Sequence, residues 1–439
     1  MRTVLIASTY FSADAAIGSM RMRALAKYLP RFGWQPVILT EQIPGAPALP
    51  RGEVPILETW DPYASMKKLF GLAVPQSARG ANGSIPHNSG APGGWLGACA
   101  RSSLAAIQYV LVPDLHVFWH PVALRSVRRW LTEERSLRPD IVLTSSNPRT
   151  PHLVGHSLKR LLGVPWIADL RDFWTIDHYY PYRGPRRWFE QKLERRTLAS
   201  ADRLVTVSRP YADRLGTFLG RGDVSVIYNG FDPAEWPAPA PEPLPRFTIT
   251  YTGSLMDGRR NPTPLLEVIR ELADEGEVDL GQVEVRFFGR PERWVEEQAL
   301  RLGLGAVVRQ YGQIPREQVL ERQRESQLLL ILFWDHPLDA GVLTSKLEYL
   351  ATRRPILALG GPGGDMEELL EETGAGEYVR AGDHRKLKRL VWSWYQEFRR
   401  TGRVAYRGDR EAVFRYSHPE MARHFAGLLE ETLAAARCA

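Results

Sequence analysis

Apolar positions along the chain fall in short runs separated by amphipathic stretches. The first, "TVLIAS" (residues 3–8), is followed by "SMRMRALAKYLPRFG", where Leu25, Tyr28, Leu29 and Phe32 stand at i, i+3, i+4 and i+7, and then by "QPVILT". Two uniformly apolar runs flanking a helical period predict a strand, a helix and a strand, the βαβ unit of a parallel sheet. The alternation returns with "DIVLTSS" (140–146), the segment 152–162, "PWIADL" (165–170), "RWFEQKLERRTLASA" (187–201), "RLVTVS" (203–208) and "VSVIYNG" (224–230). These elements predict one doubly wound α/β domain over residues 1–233. "FDPAEWPAPAPEPLPRF" (231–247) is punctuated by prolines. It reads as a semi-rigid connection, so a linker is expected at 234–246.

Beyond the linker, "TITYTGS", a helical period from about 264 to 275, "VEVRFFG", "VVRQYG", "LLLILFW", a helix from about 345 and "PILALGG" predict a second α/β domain over 247–414. The last segment, 415–439, has a helical pattern with two places open to it, on the second domain or back against the first. One stretch breaks the rhythm: "QSARGANGSIPHNSGAPGG" (76–94) has no apolar period and is expected to be an irregular loop.

At 439 residues the chain is long enough for two well-buried cores, in keeping with the pattern. A composition of 44% apolar and 24% charged residues excludes a disordered or fibrous chain. The net charge of +7 favours anionic partners without choosing among nucleotides, lipid surfaces and nucleic acid. Two cysteines, Cys99 and Cys438, form no metal or disulfide pattern and fit a reducing cytoplasm. The N-terminus lacks the apolar core of a signal peptide, and no run is long enough to span a bilayer, so any membrane contact is expected to be peripheral.

The stretch "YTGSLMDGRRNPTPLL" (251–266) places Arg259 and Arg260 where a strand hands over to a helix. Leu265, Leu266, Ile269 and Leu272 mark the buried face of that helix, with Asn261 or Thr263 as N-cap and Pro262 or Pro264 as first helical residue. Ligands of open parallel sheets sit beyond the carboxyl ends of the strands, and a helix N-terminus there favours anions. Two arginines added at that point make a phosphate clamp, since the guanidinium fork grips phosphate oxygens and stays charged. A solvated arginine pair is the bland alternative; the position at a strand end favours function. A second constellation, "AGVLTSKLEYLATRRPILAL" (340–359), carries Lys346 and Glu348 in the first turn of a helix. The lysine suits a diphosphate and the glutamate suits ribose hydroxyls, although Ser345-x-x-Glu348 also has the form of a capping box.

Together these features resemble a family. The chain is similar to the GT4 group of glycosyltransferases with the GT-B fold, two Rossmann-like doubly wound α/β domains facing each other across a cleft. The likeness runs through "STYFSADAAIGSMRMRALAKYLPRFGWQPVILT", "PWIADLRDFW", "VSVIYNGFD", "YTGSLMDGRR", "SKLEYLATRRPIL" and "ETGAG". The resemblance implies transfer of a sugar from a UDP- or GDP-type donor to a glycan, lipid-linked or small-molecule acceptor. It implies retention at the anomeric carbon, no metal or other cofactor, and a role in surface polysaccharide or glycoconjugate synthesis. The donor would lie on the second domain and the acceptor on the first. Carried over by position, the diphosphate site falls on Arg259 or Arg260 with Lys346, and the ribose-binding carboxylate on Glu348. Gly18 would let backbone amides approach the phosphate or sugar. The base is expected near Gln313 and Ile314, with Gly289 and Arg290 at a neighbouring strand end.

The chain also departs from the family pattern. Where many relatives have a His-Asp step after the strand matching "PWIADL", this chain has Arg171-Asp172, so the resemblance gives Arg171 the histidine's place near the reacting sugar and Asp172 the part of orienting it or touching acceptor. The family's paired glutamates stand eight apart, yet eight before Glu348 is Ala340, with Asp339 one place off as the nearest sugar-binding carboxylate. The usual Lys-x-x-Glu is here Lys-x-Glu.

Other chemistries find less support. The sequence has no D-x-D and no P-loop motif. His116 and His120, and His152 and His156, stand four apart with no third ligand at an obvious spacing, so no metal site is expected. The clusters "RSVRRW", "YRGPRRWFEQKLERR" and "HRKLKRLVWSWYQEFRR" mix cations with aromatics as nucleic-acid binders do, but amphipathic helices with a solvated basic face account for them, and no nucleic-acid partner is expected. One such cluster on the first domain could rest on an anionic membrane at the cytoplasmic face. A GT-B protein that binds nucleotide-sugar or glycan without catalysis is the main alternative; a nucleotide-sugar epimerase would need carboxylate acid/base groups at the sugar.

Overall fold

In the computed structural model the chain divides into two compact units. Unit 1 comprises Met1–Val207, Tyr211–Tyr228 and His418–Ala439; unit 2 comprises Ser208–Pro210 and Asn229–Ser417. The structure describes residues 1–9, 11, 19–42, 54–60, 62, 109–134, 137–177, 180–236, 242–336 and 345–438. The expected loop 76–94, Gly18 and Asp339 lie outside the described residues, as does part of the proline-rich connection.

Unit 1 is built on a parallel sheet of β1 (Arg2–Ala7), β2 (Trp34–Glu41), β3 (Ile56–Thr59), β4 (Ile141–Ser146), β5 (Trp166–Leu170), β6 (Arg203–Thr206) and β7 (Val224–Val226), in the order β3-β2-β1-β4-β5-β6-β7. The central strands β1, β4 and β5 are buried along nearly their whole length, which is why they read as unbroken apolar runs. The helices are α1 (Met20–Tyr28), α2 (Trp119–Glu133), α3 (Thr150–Leu162), α4 (Gly184–Leu198) and α5 (Arg209–Leu219). The expected first helix breaks at Tyr28: Leu29–Phe32 continue as a 3-10 turn containing Pro30, closed by Gly33 at φ +83. Pro30 and the left-handed glycine stop the α-helix and turn the chain into β2.

Unit 2 repeats the plan with β8 (Phe247–Thr252), β9 (Val283–Phe288), β10 (Val308–Gly312), β11 (Leu328–Leu332), β12 (Ile356–Leu359) and β13 (Gly376–Val379), all parallel, in the order β10-β9-β8-β11-β12-β13. Its helices are α6 (Thr263–Asp274), α7 (Arg293–Arg301), α8 (Arg316–Arg324), α9 (Glu348–Ala351), α10 (Asp365–Thr373), α11 (His384–Thr401) and α12 (Arg410–Phe414). Leu265, Leu266, Ile269 and Leu272 of α6 and Leu387, Val391, Tyr395 and Phe398 of α11 enter one core with the strands.

The last helix, α13 (His418–Cys438), packs against α1 and places Met421, Phe425, Leu429 and Leu433 in the unit 1 core. It therefore belongs to unit 1, and the division falls at Tyr228, ahead of the proline-rich segment. Among the described residues no helix is long and apolar enough to cross a membrane.

In both sheets the strand order reverses next to the first strand, between β1 and β4 and between β8 and β11. Neighbouring connections there leave on opposite sides of the sheet, which opens a crevice at the carboxyl ends of the strands.

Candidate functional site

The switch point of unit 2 gathers four of the residues singled out from the sequence. Past β8 the chain runs through Gly253 into a tight loop where Met256, Asp257 and Gly258 all take positive φ, 57, 53 and 86. That turn brings Arg260 back, its amide donating to the Leu255 carbonyl at 3.0 Å. Helix α6 begins at Thr263 with Pro262 at the cap position; the Asn261 side chain accepts from the Thr263 amide at 2.9 Å, so the capping bond is made from one residue before the cap.

The two arginines take different positions. Arg260 is half-buried, with Nη1 3.3 Å from the Ser254 carbonyl and 3.5 Å from the Tyr251 hydroxyl, which itself donates to Ser254 O at 2.7 Å. Arg259 is exposed and lays its guanidinium 5.1 Å from the ring centre of Trp334, on the chain leaving β11. The loops that follow β8 and β11 are thus joined by a cation–π contact across the switch point.

Lys346 lies beneath them and is only 9% exposed. Its Nζ lies 4.6 Å from the Tyr251 ring centre and 5.2 Å from that of Tyr349, and it has no hydrogen-bond or ion-pair partner among the described residues. Burial, and next the charge of Arg260, push its pKa down to about 7, with Glu348 opposing them. A Cβ on Gly253, which sits at φ +128, would stand 3.0 Å from that Nζ, and one on Gly289 would stand 2.1 Å from the Gly253 carbonyl oxygen. The ends of β8 and β9 meet backbone to backbone over the ammonium, and side chains at either position would close the space.

Glu348 is buried at the start of α9, and its carboxylate is held from two sides. Arg316 Nη1 donates to Oε2 at 2.8 Å while its Nη2 reaches Glu235 at 3.0 Å, and Gln323 Nε2 donates to Oε1 at 3.2 Å and to Thr252 Oγ1 at 3.0 Å. Tyr349 OH accepts from the Thr252 amide at 3.0 Å, tying the turn to the end of β8. The glutamate of the Ser345-x-x-Glu348 pattern is therefore engaged with α8, and the cap position of α9, Leu347, makes no side-chain capping bond. Arg316, Gln323, Tyr251, Tyr349 and Trp334 were not singled out from the sequence. Only the Tyr349 step beside Glu348 carried a local signal.

Gly289, Arg290, Gln313 and Ile314 occupy the ends of β9 and β10. Arg290 and Gln313 are exposed and Ile314 is half-buried, and none of the three makes a side-chain hydrogen bond to Arg260, Lys346 or Glu348.

In unit 1, Arg171 and Asp172 follow β5. Arg171 Nε donates to the Ser146 carbonyl at the end of β4, at 2.5 Å, and burial lowers its pKa against the opposing pull of Asp169 and Asp172. Asp172 is approached by the Asn147 amide at 3.5 Å. Beneath them sits a buried pair that the sequence did not reveal. Asp169 accepts from Arg21 Nη2 at 3.0 Å, Arg21 Nε at 3.1 Å and Ser145 Oγ at 2.9 Å, and Arg21 also donates to the carbonyls of Ile227 and Tyr228. This network fixes the start of α1 to the carboxyl end of β5.

The comparisons bear on this geometry. Residues 19–235 match the profile of Glycosyltransferase Family 4. Over that first part the chain is similar to the GT4 glycosyltransferases, and the whole chain has the GT-B fold. No curated protein matches it in sequence. Among solved structures it is similar to a sucrose-phosphate synthase from Thermosynechococcus elongatus, at 16% identity over 99% of this chain and 100% of that one, with a TM-score of 0.61. The HepE protein of Anabaena, solved with UDP and glucose, is 14% identical over 98% of this chain and 100% of that one, TM-score 0.58. The lipopolysaccharide outer core galactosyltransferase WaaB is 12% identical over 98% and 99%, TM-score 0.54. At these identities the structural likenesses speak for the fold alone.

Proposed function

We propose that this GT4-like protein transfers a sugar from a UDP- or GDP-type donor with retention of anomeric configuration, and that the donor diphosphate sits on Lys346, Arg260 and Arg259. One observation carries the reading: Lys346 is a buried cation with no hydrogen-bond or ion-pair partner among the described residues, placed under the backbone gap at Gly253 on the switch point of a doubly wound sheet. A buried ammonium in that condition is costly, and a diphosphate supplies the missing negative charge.

In this reading the departing diphosphate is stabilised by fixed positive charge as the glycosidic bond breaks, and a leaving-group oxygen takes the proton of the acceptor hydroxyl on the same face of the sugar. Glu348 accepts from the ribose hydroxyls, with Arg316 and Gln323 fixing its carboxylate. Gln313 and Ile314 border the base, and Asp339 is assigned to the donor sugar. Arg171 and Asp172 in unit 1 are assigned to the acceptor side, and Gly18 to the first loop of that unit. The chemistry asks for no metal. The acceptor is a glycan, a lipid-linked sugar or a small molecule of glycoconjugate synthesis in the cytoplasm; a lipid-linked acceptor would bring the protein to the membrane's cytoplasmic face.

The test is release of nucleoside diphosphate from a panel of nucleotide sugars with simple glycoside acceptors, with and without EDTA. Turnover that survives EDTA and is lost in Lys346→Ala supports the reading. Binding without turnover would favour the alternative of a non-catalytic nucleotide-sugar binder, which Ala340 in place of the paired glutamate favours.

A further inference from the structure

Three stretches of the sequence mix cations with aromatics, and packing separates them. On α11 part of the basic face is answered by acids: Lys388 pairs with Glu271 and Glu275, Lys386 with Glu377, and the Trp392 indole donates to Glu277, while Arg385, Arg389, Arg399 and Arg400 are exposed and pair with no carboxylate among the described residues. On α2, Arg129 pairs with Glu133, and Arg125 and Arg128 are exposed without an acid partner among the described residues. Helix α4 differs in setting two large exposed aromatics, Trp188 and Phe189, among its unpaired cations. Its only acids, Glu190 and Glu194, are both buried, Glu190 taking Arg186 at 2.8 Å, the Trp174 indole at 2.7 Å and the Tyr180 hydroxyl at 2.6 Å, and Glu194 taking the Thr175 amide at 3.0 Å. What remains outside is Arg187, Trp188, Phe189, Lys192, Arg195 and Arg196, all exposed. Trp188, Lys192, Arg195 and Arg196 stand at i, i+4, i+7 and i+8, one stripe of the helix.

Among the described residues none of Arg187, Lys192, Arg195 and Arg196 pairs with a carboxylate, nor does Arg183 at the helix start. The aromatics are equally unprotected: Trp188 is 59% and Phe189 53% exposed, with Lys192 Nζ 3.8 Å from the Trp188 ring centre. Tyr109 and Val110, also exposed, lie at the same end of the helix, where Arg186 donates to the Leu111 carbonyl and Tyr109 meets Tyr182 edge-on at 5.7 Å.

We propose that the outward face of α4 is a membrane-docking surface, on which unit 1 rests against an anionic bilayer with Trp188 and Phe189 in the headgroup region and the cations on lipid phosphates. The charge is of one sign, which fits an anionic partner. Nucleic acid could use that charge, but large aromatics projecting from the convex side of a helix offer nothing to a duplex, whereas indole and phenyl rings belong at a lipid–water interface and long basic chains reach from there to phosphate. The inference stands apart from the transferase reading, since it concerns a surface that donor does not touch.

Its test is co-sedimentation of the full chain, without nucleotide, with vesicles of phosphatidylcholine containing phosphatidylglycerol and with phosphatidylcholine alone. Wild type binds the anionic vesicles at low salt, releases at high salt and ignores the neutral ones. Each cation at the surface is worth roughly fivefold in binding, so Lys192→Gln with Arg195→Gln and Arg196→Gln lowers it about a hundredfold. The charge-preserving Lys192→Arg, Arg195→Lys and Arg196→Lys variant binds as wild type, and Trp188→Ala with Phe189→Ala weakens binding while leaving it salt-sensitive. Unchanged circular dichroism and unfolding temperature in each variant show that the fold is intact. Absence of wild-type binding, equal binding by the glutamine variant, or displacement from the vesicles by duplex RNA with tighter binding to the RNA would overturn the proposal.

Discussion

If Lys346 holds the donor diphosphate, donor binding must take up a proton above neutral pH. In the free protein burial and Arg260 bring the lysine's pKa from 10.5 down to about 7. A diphosphate placed against Nζ adds two negative charges at contact and favours the protonated form. Once pH rises above the free-state value, each bound donor must reprotonate the lysine, so affinity falls by roughly tenfold per pH unit, about 1.4 kcal/mol, until the bound-state pKa is reached. From about pH 7 to about pH 9 the loss approaches a hundredfold. A nucleotide sugar is the right probe, because its diphosphate is esterified at both ends and lacks the ionisation near pH 6 of a terminal phosphate. Titration calorimetry in buffers of different ionisation enthalpy would show close to one proton taken up per donor at about pH 8. Lys346→Arg, charged throughout, would bind with a flat profile, and Lys346→Met weakly and also flat. The sign carries over to stability. Between about 7 and 10.5 the unfolded chain holds the lysine's proton and the folded one does not, so the stability of the free protein rises with pH across that window, and Lys346→Met removes the slope. Donor affinity that is flat in wild type over the same range, with no proton uptake, would refute the reasoning.

Other outcomes follow from the same geometry. Arg260→Ala removes the second cause of the lysine's depressed pKa, so the fall in donor affinity begins at higher pH, while binding at about pH 7 weakens by roughly tenfold to a hundredfold through loss of one charge-assisted contact. Glu348→Ala leaves Arg316 paired with Glu235 alone and, if the carboxylate binds ribose, weakens a ribonucleoside diphosphate by about tenfold or more while leaving the 2′,3′-dideoxy analogue unaffected; equal losses for both would end that assignment. Gly253→Ala forces a side chain to φ +128 and to 3.0 Å from Lys346 Nζ, costing about 1–3 kcal/mol of stability and donor affinity with it, read by chemical unfolding and calorimetry. In unit 1, burial raises the Glu194 carboxyl to about 7 from 4.5, so the folded chain holds the extra proton between those values and stability falls as pH rises through them. Glu194→Gln removes that slope and raises the unfolding temperature above about pH 7; an unchanged slope would point to another group.

The architecture was legible because both sheets are parallel and covered on both faces, so strands such as "TITYTGS" and "LLLILFW" stand out as unbroken apolar runs between amphipathic helices. The strand orders were not, since nothing local says that β11 lies beside β8. The same limit applies to the site. Arg259, Arg260 and Lys346 could be proposed because each lies beside a strand end or helix start in sequence, but the partners that hold Glu348 come from α8, 25 and 32 residues away. The capping-box pattern at Ser345-x-x-Glu348 was a plausible local fate for the glutamate; the fold sends its carboxylate to Arg316 and Gln323 instead. Likewise Arg21 and Asp169 are 148 residues apart, and a basic residue in an amphipathic helix gives no sign that its guanidinium is buried on an aspartate. The basic clusters read alike in sequence, and only packing shows that α11 ties its lysines and Trp392 to neighbouring acids while α4 leaves Trp188 and Phe189 exposed among its cations.

The central claim is that the switch point of unit 2 is a nucleotide-sugar site. A thermal-shift panel of UDP, GDP, ADP and TDP with their common sugar conjugates, on wild type, Arg259→Ala, Arg260→Ala and Lys346→Ala, tests it most directly. At a hundred times the dissociation constant a bound donor adds about 2.7 kcal/mol, a shift of several degrees. The account predicts stabilisation of wild type by one nucleotide family, reduced in Arg260→Ala and abolished in Lys346→Ala. A well-folded protein that no donor stabilises, or one stabilised equally with and without Lys346, would contradict it.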